Sequence, residues 1–254
     1  MSIHPLKPVK ADPILEAKIQ LAAAHRIATL HELEEGIDNH FTVTVPGRQG
    51  QYLILPFGIH SSEARASDMF IFDEAGNTIE GEGRVELSAR CIHAPIHRLT
   101  GHSVVLHTHQ TWALALNMLK DNRLVHASQT AAFYADLVAY DDDYNGTADF
   151  PSEGERLAHL MRGKKIVFLK NHGILVAGDT IAQAYKYLYK MERVCRAQVL
   201  AMSTGKELNI LSRKVVDAVL APAPDETHSG EERDRLFFEA MMRIVDRELP
   251  GYRD

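Results

Sequence analysis

Three histidines that follow two short apolar runs have the residue types and spacing of a metal site. His107 and His109 lie at the end of the run 103–106, and His172 follows the run 166–169. Each run is rich in apolar, β-branched residues, which is typical of a buried strand. Residues two apart in a strand point to the same side, so the first two imidazoles can face one point in space. Three imidazoles with open positions form the ligand set of a catalytic metal ion.

The spacing alone leaves a second interpretation open. The chain contains 14 histidines, so one His-x-His can arise by chance, and the three residues can equally be ordinary polar groups at strand ends. The residue types also leave the metal open, because histidine nitrogens suit Zn, Fe, Co and Ni.

A longer pattern around these histidines resembles the class II aldolase/adducin family. The block 94–116 contains His-Thr-His, and Leu-Lys-Asn-His-Gly follows at 169–173. The similarity covers roughly residues 14–204. The resemblance implies one divalent metal ion, with zinc, manganese and iron as candidates, held by the three histidines His107, His109 and His172.

The order of predicted elements gives an α/β fold class. Helical and strand patterns with clear hairpins and little parallel repetition predict a mixed, largely antiparallel central sheet between helices. The resemblance implies the same three-layer α/β/α fold, commonly assembled as a homotetramer. We predict a single domain over 1–254, with a core at 14–204 and a C-terminal helical extension at 206–254. Within that extension a linker at 221–224 precedes a helix at 231–249.

Composition excludes several classes of protein. A net charge of −6 and a pI near 6.2 argue against a nucleic-acid binder. The two cysteines, Cys91 and Cys195, form no Cys-x-x-Cys and suit a reducing compartment. Residues 1–10 lack the apolar segment of a secretory signal, and no apolar run is long enough to cross a bilayer. We expect a cytoplasmic protein whose partner is a small-molecule substrate.

The hairpin at 41–55 predicts the type of substrate. Sugar-phosphate members of the family hold phosphate there through Gly, Asn and Ser. Here His40 stands near the family's Asn and Thr42 near its Ser, while Phe57 replaces the Ser that precedes Gly58. A phosphate needs several clustered donors, so we expect an unphosphorylated substrate bound near His40, Thr42 and Gly58. In the alternative interpretation, Phe57 only packs against its neighbours and other residues donate the hydrogen bonds that a phosphate needs.

The catalytic glutamate of the aldolases is missing from the helix predicted at 87–99. Alignment places Ala89 or Ser88 at its position. We expect metal-bound water to transfer the proton, with Glu86 and Tyr134 as alternatives. Arg90 could bind a substrate carboxylate. Glu86 can also be a solvated residue favoured by the helix dipole, and Tyr134 can simply be packed.

Two further groups resemble sites but have plainer interpretations. His93 and His97 are four apart and share a helix face, which we interpret as packing or surface hydrogen bonding rather than metal binding. The acidic run 141–143 is interpreted as a solvated turn rather than a metal loop.

Three functional classes follow from these patterns. The first is a metal-dependent carbon–carbon lyase, an aldolase or decarboxylase, that acts on a hydroxy-carbonyl or hydroxy-carboxylate through a metal-stabilised enolate. Loss of carbon dioxide leaves no alkoxide proton to remove, which favours decarboxylation. The second class is a non-haem iron oxygenase, which three histidines with open positions allow. The third is an adducin-like structural module, which is disfavoured because such relatives lack the histidines.

Overall fold

The computed structural model describes residues 12–144, 146, 150–221 and 229–254, and eight strands of these residues form one mixed sheet. The strands are β1 (His40–Thr44), β2 (Gln51–Ile54), β3 (Phe70–Asp73), β4 (Thr78–Glu80), β5 (Val104–Thr108), β6 (Val138–Asp141), β7 (Ile166–Leu169) and β8 (Gly173–Gly178). Their spatial order is β4-β3-β2-β1-β5-β8-β7-β6. The described pairs are antiparallel apart from β6 with β7, which confirms the predicted sheet type.

Helices cover both faces of this sheet. They are α1 (Pro13–Leu30), α2 (Leu87–Thr100), α3 (Thr111–Asn117), α4 (Gln129–Phe133), α5 (Pro151–Leu160), α6 (Ile181–Met202), α7 (Arg213–Leu220) and α8 (Gly230–Glu248). Alternate residues of β5 separate the two cores, because successive strand side chains point to opposite faces. Val105 packs with α2 and α5, whereas Val104 and Leu106 pack with α1 and α6. The three-layer α/β/α prediction is therefore confirmed.

Local capping sets where the main helices begin and end. The side chain of Asp12 accepts a hydrogen bond from the backbone N–H of Ile14 at 3.0 Å, and Pro13 occupies the first turn of α1. The hydroxyl of Thr180 caps α6 in the same way. Gly101 ends α2 with φ 75°, a left-handed conformation that favours glycine.

Helix α5 crosses α2 at very short range through Gly154. A Cβ added at Gly154 would lie 2.1 Å from the carbonyl oxygen of Cys91 in α2. The missing side chain lets the two backbones touch, which holds α2 against the sheet. Ile92 and Ile96 of α2 pack into the same core as Val105 of β5 and Leu157 of α5.

The C-terminal segment folds back onto the core. The rings of Tyr185 in α6 and Phe238 in α8 lie 5.9 Å apart, and the guanidinium of Arg26 in α1 donates to the carbonyl of Leu249 at 3.1 Å. The predicted helix at 231–249 is observed as α8, whereas α7 was not predicted. Residues 222–224 of the predicted linker lie outside the described residues. Among the described helices, none has the length and apolarity needed to cross a bilayer.

Candidate metal centre

The antiparallel strands β5, β7 and β8 bring the three predicted histidines together. His107 is in β5, His109 follows that strand, and His172 lies in the tight turn between β7 and β8. Their side chains offer ligand atoms that all lie within 4.8 Å of one another. Gly173 permits this approach, because a Cβ there would lie 2.4 Å from the carbonyl oxygen of Thr108.

Hydrogen bonds fix which nitrogen of two of these imidazoles is bare. Nδ1 of His107 donates to the carbonyl of Ile174 at 3.0 Å, and Nδ1 of His109 donates to the carboxylate of Glu35 at 2.6 Å. Their Nε2 atoms are therefore both unprotonated acceptors. These two acceptors nevertheless lie only 3.0 Å apart.

Two bare nitrogens at that distance repel each other unless a positive charge lies beside them. Burial lowers the pKa of His107 well below its ordinary value, so the imidazole of His107 does not carry this charge at neutral pH. A divalent ion does, since metal–imidazole bonds of about 2.0–2.1 Å let two such nitrogens touch one ion. The donor set therefore fits a metal ion, with the Glu35 carboxylate and the Ile174 carbonyl orienting the ligands.

His172, the third predicted ligand, is also held in its neutral form. Burial, followed by the charge of His109, lowers the pKa of His172 to about 4, which keeps its imidazole neutral and able to bind a metal at pH 7. The ring of Tyr144 lies 6.3 Å from that of His172, and Tyr144 is exposed. Sequence reasoning assigned no site role to Tyr144 or to Glu35. Glu35 stands seventy-four residues from His109 and gave no local signal.

The three residues predicted to bind substrate have different surroundings. His40 pairs with His107 across β1 and β5, and their ring centroids are 5.0 Å apart. Gly58 is exposed at φ 101°, with open space where a Cβ would stand. Thr42 corrects the prediction: it is fully buried, and its hydroxyl contacts His93 and His97 rather than a surface that a substrate could reach.

Glu86 and Arg90, predicted for catalysis, lie at the start of α2. A carboxylate oxygen of Glu86 accepts a hydrogen bond from the hydroxyl of Ser88 at 2.8 Å. Glu86 and His40 line a cavity of about 20 Å³, and Glu86 also lines a cavity of about 480 Å³ with Phe57, Arg84 and Arg90. Arg90 donates to the carbonyl of Ala75, so one of its nitrogens braces the turn between β3 and β4.

Tyr134 has the packed surroundings of its alternative interpretation, whereas the interpretation of Asp141 needs correction. Tyr134 packs edge-on against Tyr187 at 5.9 Å and lies near Asp234, so its described contacts are in the α4–α6–α8 layer and not at the histidines. Asp141 is not part of a solvated turn. It ends β6, is 6% exposed and accepts a hydrogen bond from Arg156 at 2.7 Å. That buried charge is paired, as burial requires.

The helix histidines His93 and His97 are packed inside the protein and make internal hydrogen bonds rather than surface ones, and one of them reaches the site indirectly. Nε2 of His93 lies 2.7 Å from Nδ1 of His40, which in turn neighbours His107. Both helix histidines are buried, and burial lowers both pKa values, that of His97 to about 4.

Comparison with known proteins agrees with this geometry. The sequence model of the Class II Aldolase and Adducin N-terminal domain matches residues 19–199. A Caulobacter vibrioides protein, provisionally named an aldolase class 2 protein, is 31% identical over 249 residues, covering 94% of this chain and 92% of the relative. Decarboxylase NovR of Streptomyces niveus is 28% identical over 207 residues, covering 79% of this chain and 76% of the relative.

A solved structure extends the likeness over almost the whole chain. The crystal structure of an aldolase II superfamily protein from Pseudomonas syringae matches with a TM-score of 0.87 at 31% identity, covering 96% of this chain and 97% of that one. The similarity thus includes both the sheet and most of the C-terminal helices. The family model spans well over half of the sequence. The chain therefore belongs to the class II aldolase and adducin family.

Proposed function

We propose that this protein is a metal-dependent carbon–carbon lyase that acts on a small, unphosphorylated hydroxy-carbonyl or hydroxy-carboxylate compound. The observation that carries the proposal is the pair of bare Nε2 atoms of His107 and His109 at 3.0 Å, with His172 beside them. His107, His109 and His172 would hold one divalent ion. When bound, that ion supplies the positive charge that stabilises an enolate.

Within this class, decarboxylation suits the residues at the start of α2. In decarboxylation the bond to the carboxylate carbon breaks, its electron pair stays on the substrate as the enolate, and carbon dioxide leaves. In aldol cleavage a hydroxyl proton must also pass to a base. The first turn of α2 presents the hydroxyl of Ser88 towards His40, and Ala89 is buried, so neither supplies a carboxylate. The similarity to Decarboxylase NovR supports the same choice.

The larger cavity at Glu86 favours a carboxylate over a phosphate. Phe57 puts a phenyl ring where a donor would be needed, and the Glu86 carboxylate repels a doubly charged group. Arg84 and Arg90 line the same cavity and could pair with a single carboxylate. We expect turnover of an unphosphorylated hydroxy acid to exceed that of a sugar 1-phosphate, and efficient cleavage of the phosphate alone would contradict this.

Metal analysis followed by substrate screening tests the proposal. The protein is purified without chelator, its bound metals are measured, and hydroxy-carboxylates are screened for release of carbon dioxide and of aldehyde. Retention of a divalent metal with release of either product supports a lyase. Oxygen consumption by the iron-loaded protein would instead support the oxygenase alternative. A protein that binds no metal would contradict the proposal and support an adducin-like module.

A matched pair of variants tests proton transfer once a substrate is known. Glu86→Gln removes the carboxylate beside Ser88. Tyr134→Phe removes a phenolic hydroxyl in the α4–α6–α8 layer. We expect Tyr134→Phe to stay within a fewfold of the parent. A general acid or base contributes about 10²–10⁴-fold, so a loss of that size in Glu86→Gln with its metal retained would identify Glu86 as that group. Similar activity in both variants would leave metal-bound water as the proton donor and acceptor.

We also propose that the chain assembles as a homotetramer, as the resemblance implies. Light scattering on the purified protein measures the mass of the assembly against a chain mass of 28.4 kDa. A monomer at micromolar concentration would contradict this part of the proposal.

A further inference from the structure

A row of buried polar side chains runs from the loop after α2 to the metal centre. We call His97, Thr42, His93 and His40 the histidine row. Nδ1 of His97 lies 2.7 Å from the carbonyl oxygen of His102, and its Nε2 lies 2.8 Å from the Thr42 hydroxyl. That hydroxyl lies 2.7 Å from Nδ1 of His93, whose Nε2 lies 2.7 Å from Nδ1 of His40.

The backbone carbonyl of His102, at one end of the row, determines which partner donates in every hydrogen bond of the row. A carbonyl only accepts, so Nδ1 of His97 carries the proton and, in the neutral ring, Nε2 is bare. The Thr42 hydroxyl lies 3.4 Å from the carbonyl of Val105 but only 2.8 Å from Nε2 of His97, so it donates to His97 and accepts from Nδ1 of His93. His93 consequently has a bare Nε2, which accepts from Nδ1 of His40. His40 is left with its own Nε2 unprotonated.

The opposite direction would bring two acceptors into contact. If His40 carried its proton on Nε2, His93 would donate to His40 and accept from the Thr42 hydroxyl. The oxygen of Thr42 and the bare Nε2 of His97 would then face each other at 2.8 Å with no proton between them. A buried contact of that kind loses one hydrogen bond and leaves both acceptors unpaired, which disfavours this direction.

The hydrogen bonds of the residues around His40 leave its Nε2 free to accept a hydrogen bond from a ligand. The Ser88 hydroxyl lies 3.4 Å from this nitrogen but only 2.8 Å from the Glu86 carboxylate, to which it donates its single proton. The bare Nε2 of His40 therefore accepts no short hydrogen bond from Ser88.

The cavity of about 20 Å³ beside His40 contains further unpartnered polar atoms. It is lined by Asn39 and His25 as well as by His40 and Glu86. The amide nitrogen of Asn39 and Nε2 of His25 are buried without a hydrogen-bond partner. This volume holds one water-sized group, and the residues that line it include one with an unpartnered donor, Asn39, and one with a bare acceptor, His40. A hydroxyl, which donates and accepts at once, matches both.

We propose that this cavity is a pocket for one hydroxyl group of the ligand, with Nε2 of His40 as its acceptor, and that Thr42, His93 and His97 are positioning residues that hold His40 in the required tautomer. The proposal rests on the proposed function and narrows its substrate class to compounds with a hydroxyl beyond the groups that bind the metal. Thr42 acts through two imidazoles and touches no ligand.

Nitrogen NMR on the zinc-loaded protein labelled with ¹⁵N-histidine tests the tautomer. The His40 signals are assigned by their loss in His40→Gln. We expect Nε2 of His40 at the frequency of an unprotonated ring nitrogen in the parent and in Thr42→Ser, which keeps the hydroxyl. Thr42→Val removes the donor to His97, and we expect the His40 proton to move to Nε2. A protonated Nε2 in the parent, or an unchanged Nε2 in Thr42→Val, would overturn the proposal.

Calorimetric binding of glycerate and lactate tests the pocket. The two acids share the carboxylate and the 2-hydroxyl, and only glycerate has a further hydroxyl. One added hydrogen bond predicts about 10-fold tighter binding of glycerate to the parent and to Thr42→Ser, falling to within about twofold in Thr42→Val. Equal affinities in the parent, or no binding of either acid, would overturn the pocket. Failure to retain zinc would contradict the lyase proposal, whereas the tautomer is read from the spectrum in either case.

Discussion

Two groups of histidines are neighbours in this molecule, and they differ in the partner of the second ring nitrogen of each imidazole. In the metal centre, the imidazoles of His107 and His109 each donate one N–H to a carbonyl or carboxylate and turn a bare nitrogen towards each other. In the histidine row, His93 and His97 have both nitrogens within 2.8 Å of a partner inside the protein. An imidazole thus has one nitrogen left for a metal ion in His107 and His109, whereas both nitrogens are paired within the protein in His93 and His97.

The difference teaches that burial alone does not identify a metal ligand. His93 is more buried than His107, at 0% against 1% exposure, yet its donors and acceptors are already paired. An unpaired acceptor facing another acceptor is the informative feature, because such a contact is unfavourable without a cation. The two groups should accordingly respond to mutation in opposite ways.

The largest expected effect is loss of metal from the first group. Replacing His107, His109 or His172 by Ala should lower bound metal to about a tenth of the parent or less, since even outer residues of metal sites contribute about 10–100-fold in affinity. Elemental analysis measures the occupancy. The exposed His159→Ala in α5 is the control, and full occupancy in all three variants would show that the site assignment is wrong.

The free energy of unfolding should depend more on the histidine row than on the metal centre. His97→Ala removes a ring that stacks on Tyr52 at 4.7 Å and leaves the Thr42 hydroxyl and the His102 carbonyl without their partner. We expect a loss of about 3 kcal/mol in the free energy of unfolding, measured by urea denaturation of metal-free protein. His159→Ala should stay within about 0.5 kcal/mol of the parent. Equal stability of these two variants would remove the distinction between the groups.

Sequence reasoning found the first group because its signal is local. His-x-His at a strand end and a third histidine after another apolar run can be read from spacing. The row has no such signal beyond the four-residue spacing of His93 and His97, because its continuity depends on the register of β1 with β5 and on the rotation of α2. Thr42 was placed on the right strand, but burial against α2 could not be inferred without that packing.

The same limit explains the errors elsewhere. Strand β6 pairs in parallel with β7, more than twenty residues away, so nothing near Asp141 indicated that its carboxylate would end a buried strand beside Arg156. Tyr134 sits in the segment that resembles the wall of the family's site, but its ring packs against Tyr187 of α6. Element type was predictable from periodicity, whereas long-range neighbours were not.

Removing the Glu35 carboxylate should weaken metal binding less than removing one of the three histidines. Its carboxylate is 63% exposed yet holds Nδ1 of His109 at 2.6 Å. Glu35→Ala should weaken metal affinity by about 10-fold, the lower end of the range for residues that orient ligands. Competition with a chromogenic chelator measures the dissociation constant. The exposed neighbour Asp38→Ala is the control, and identical affinities for both variants would show that Glu35 has no orienting role.

The smallest effect concerns His25, which belongs to neither group. Burial lowers its pKa to about 3, so the unfolded chain binds the proton more tightly and stability falls as the pH drops below about 6.5. From about pH 7.5 to 5.5 this residue should account for about 1 kcal/mol of lost stability. His25→Gln should lose correspondingly less than the parent over that interval in urea titrations. Matching pH slopes would contradict the assignment.

The contact at Gly154 has a consequence for the divergence of such a protein. Helix α2 carries His93 and His97, and α5 packs so closely against α2 that even one methyl group at Gly154 would lie 2.1 Å from the carbonyl oxygen of Cys91. A side chain at position 154 would push the two helix backbones apart, and a shift of α2 would disturb the hydrogen bonds of 2.7–2.8 Å that its histidines make in the row. Directed evolution for a new substrate can therefore vary the exposed residues of α5, whereas position 154 accepts only glycine.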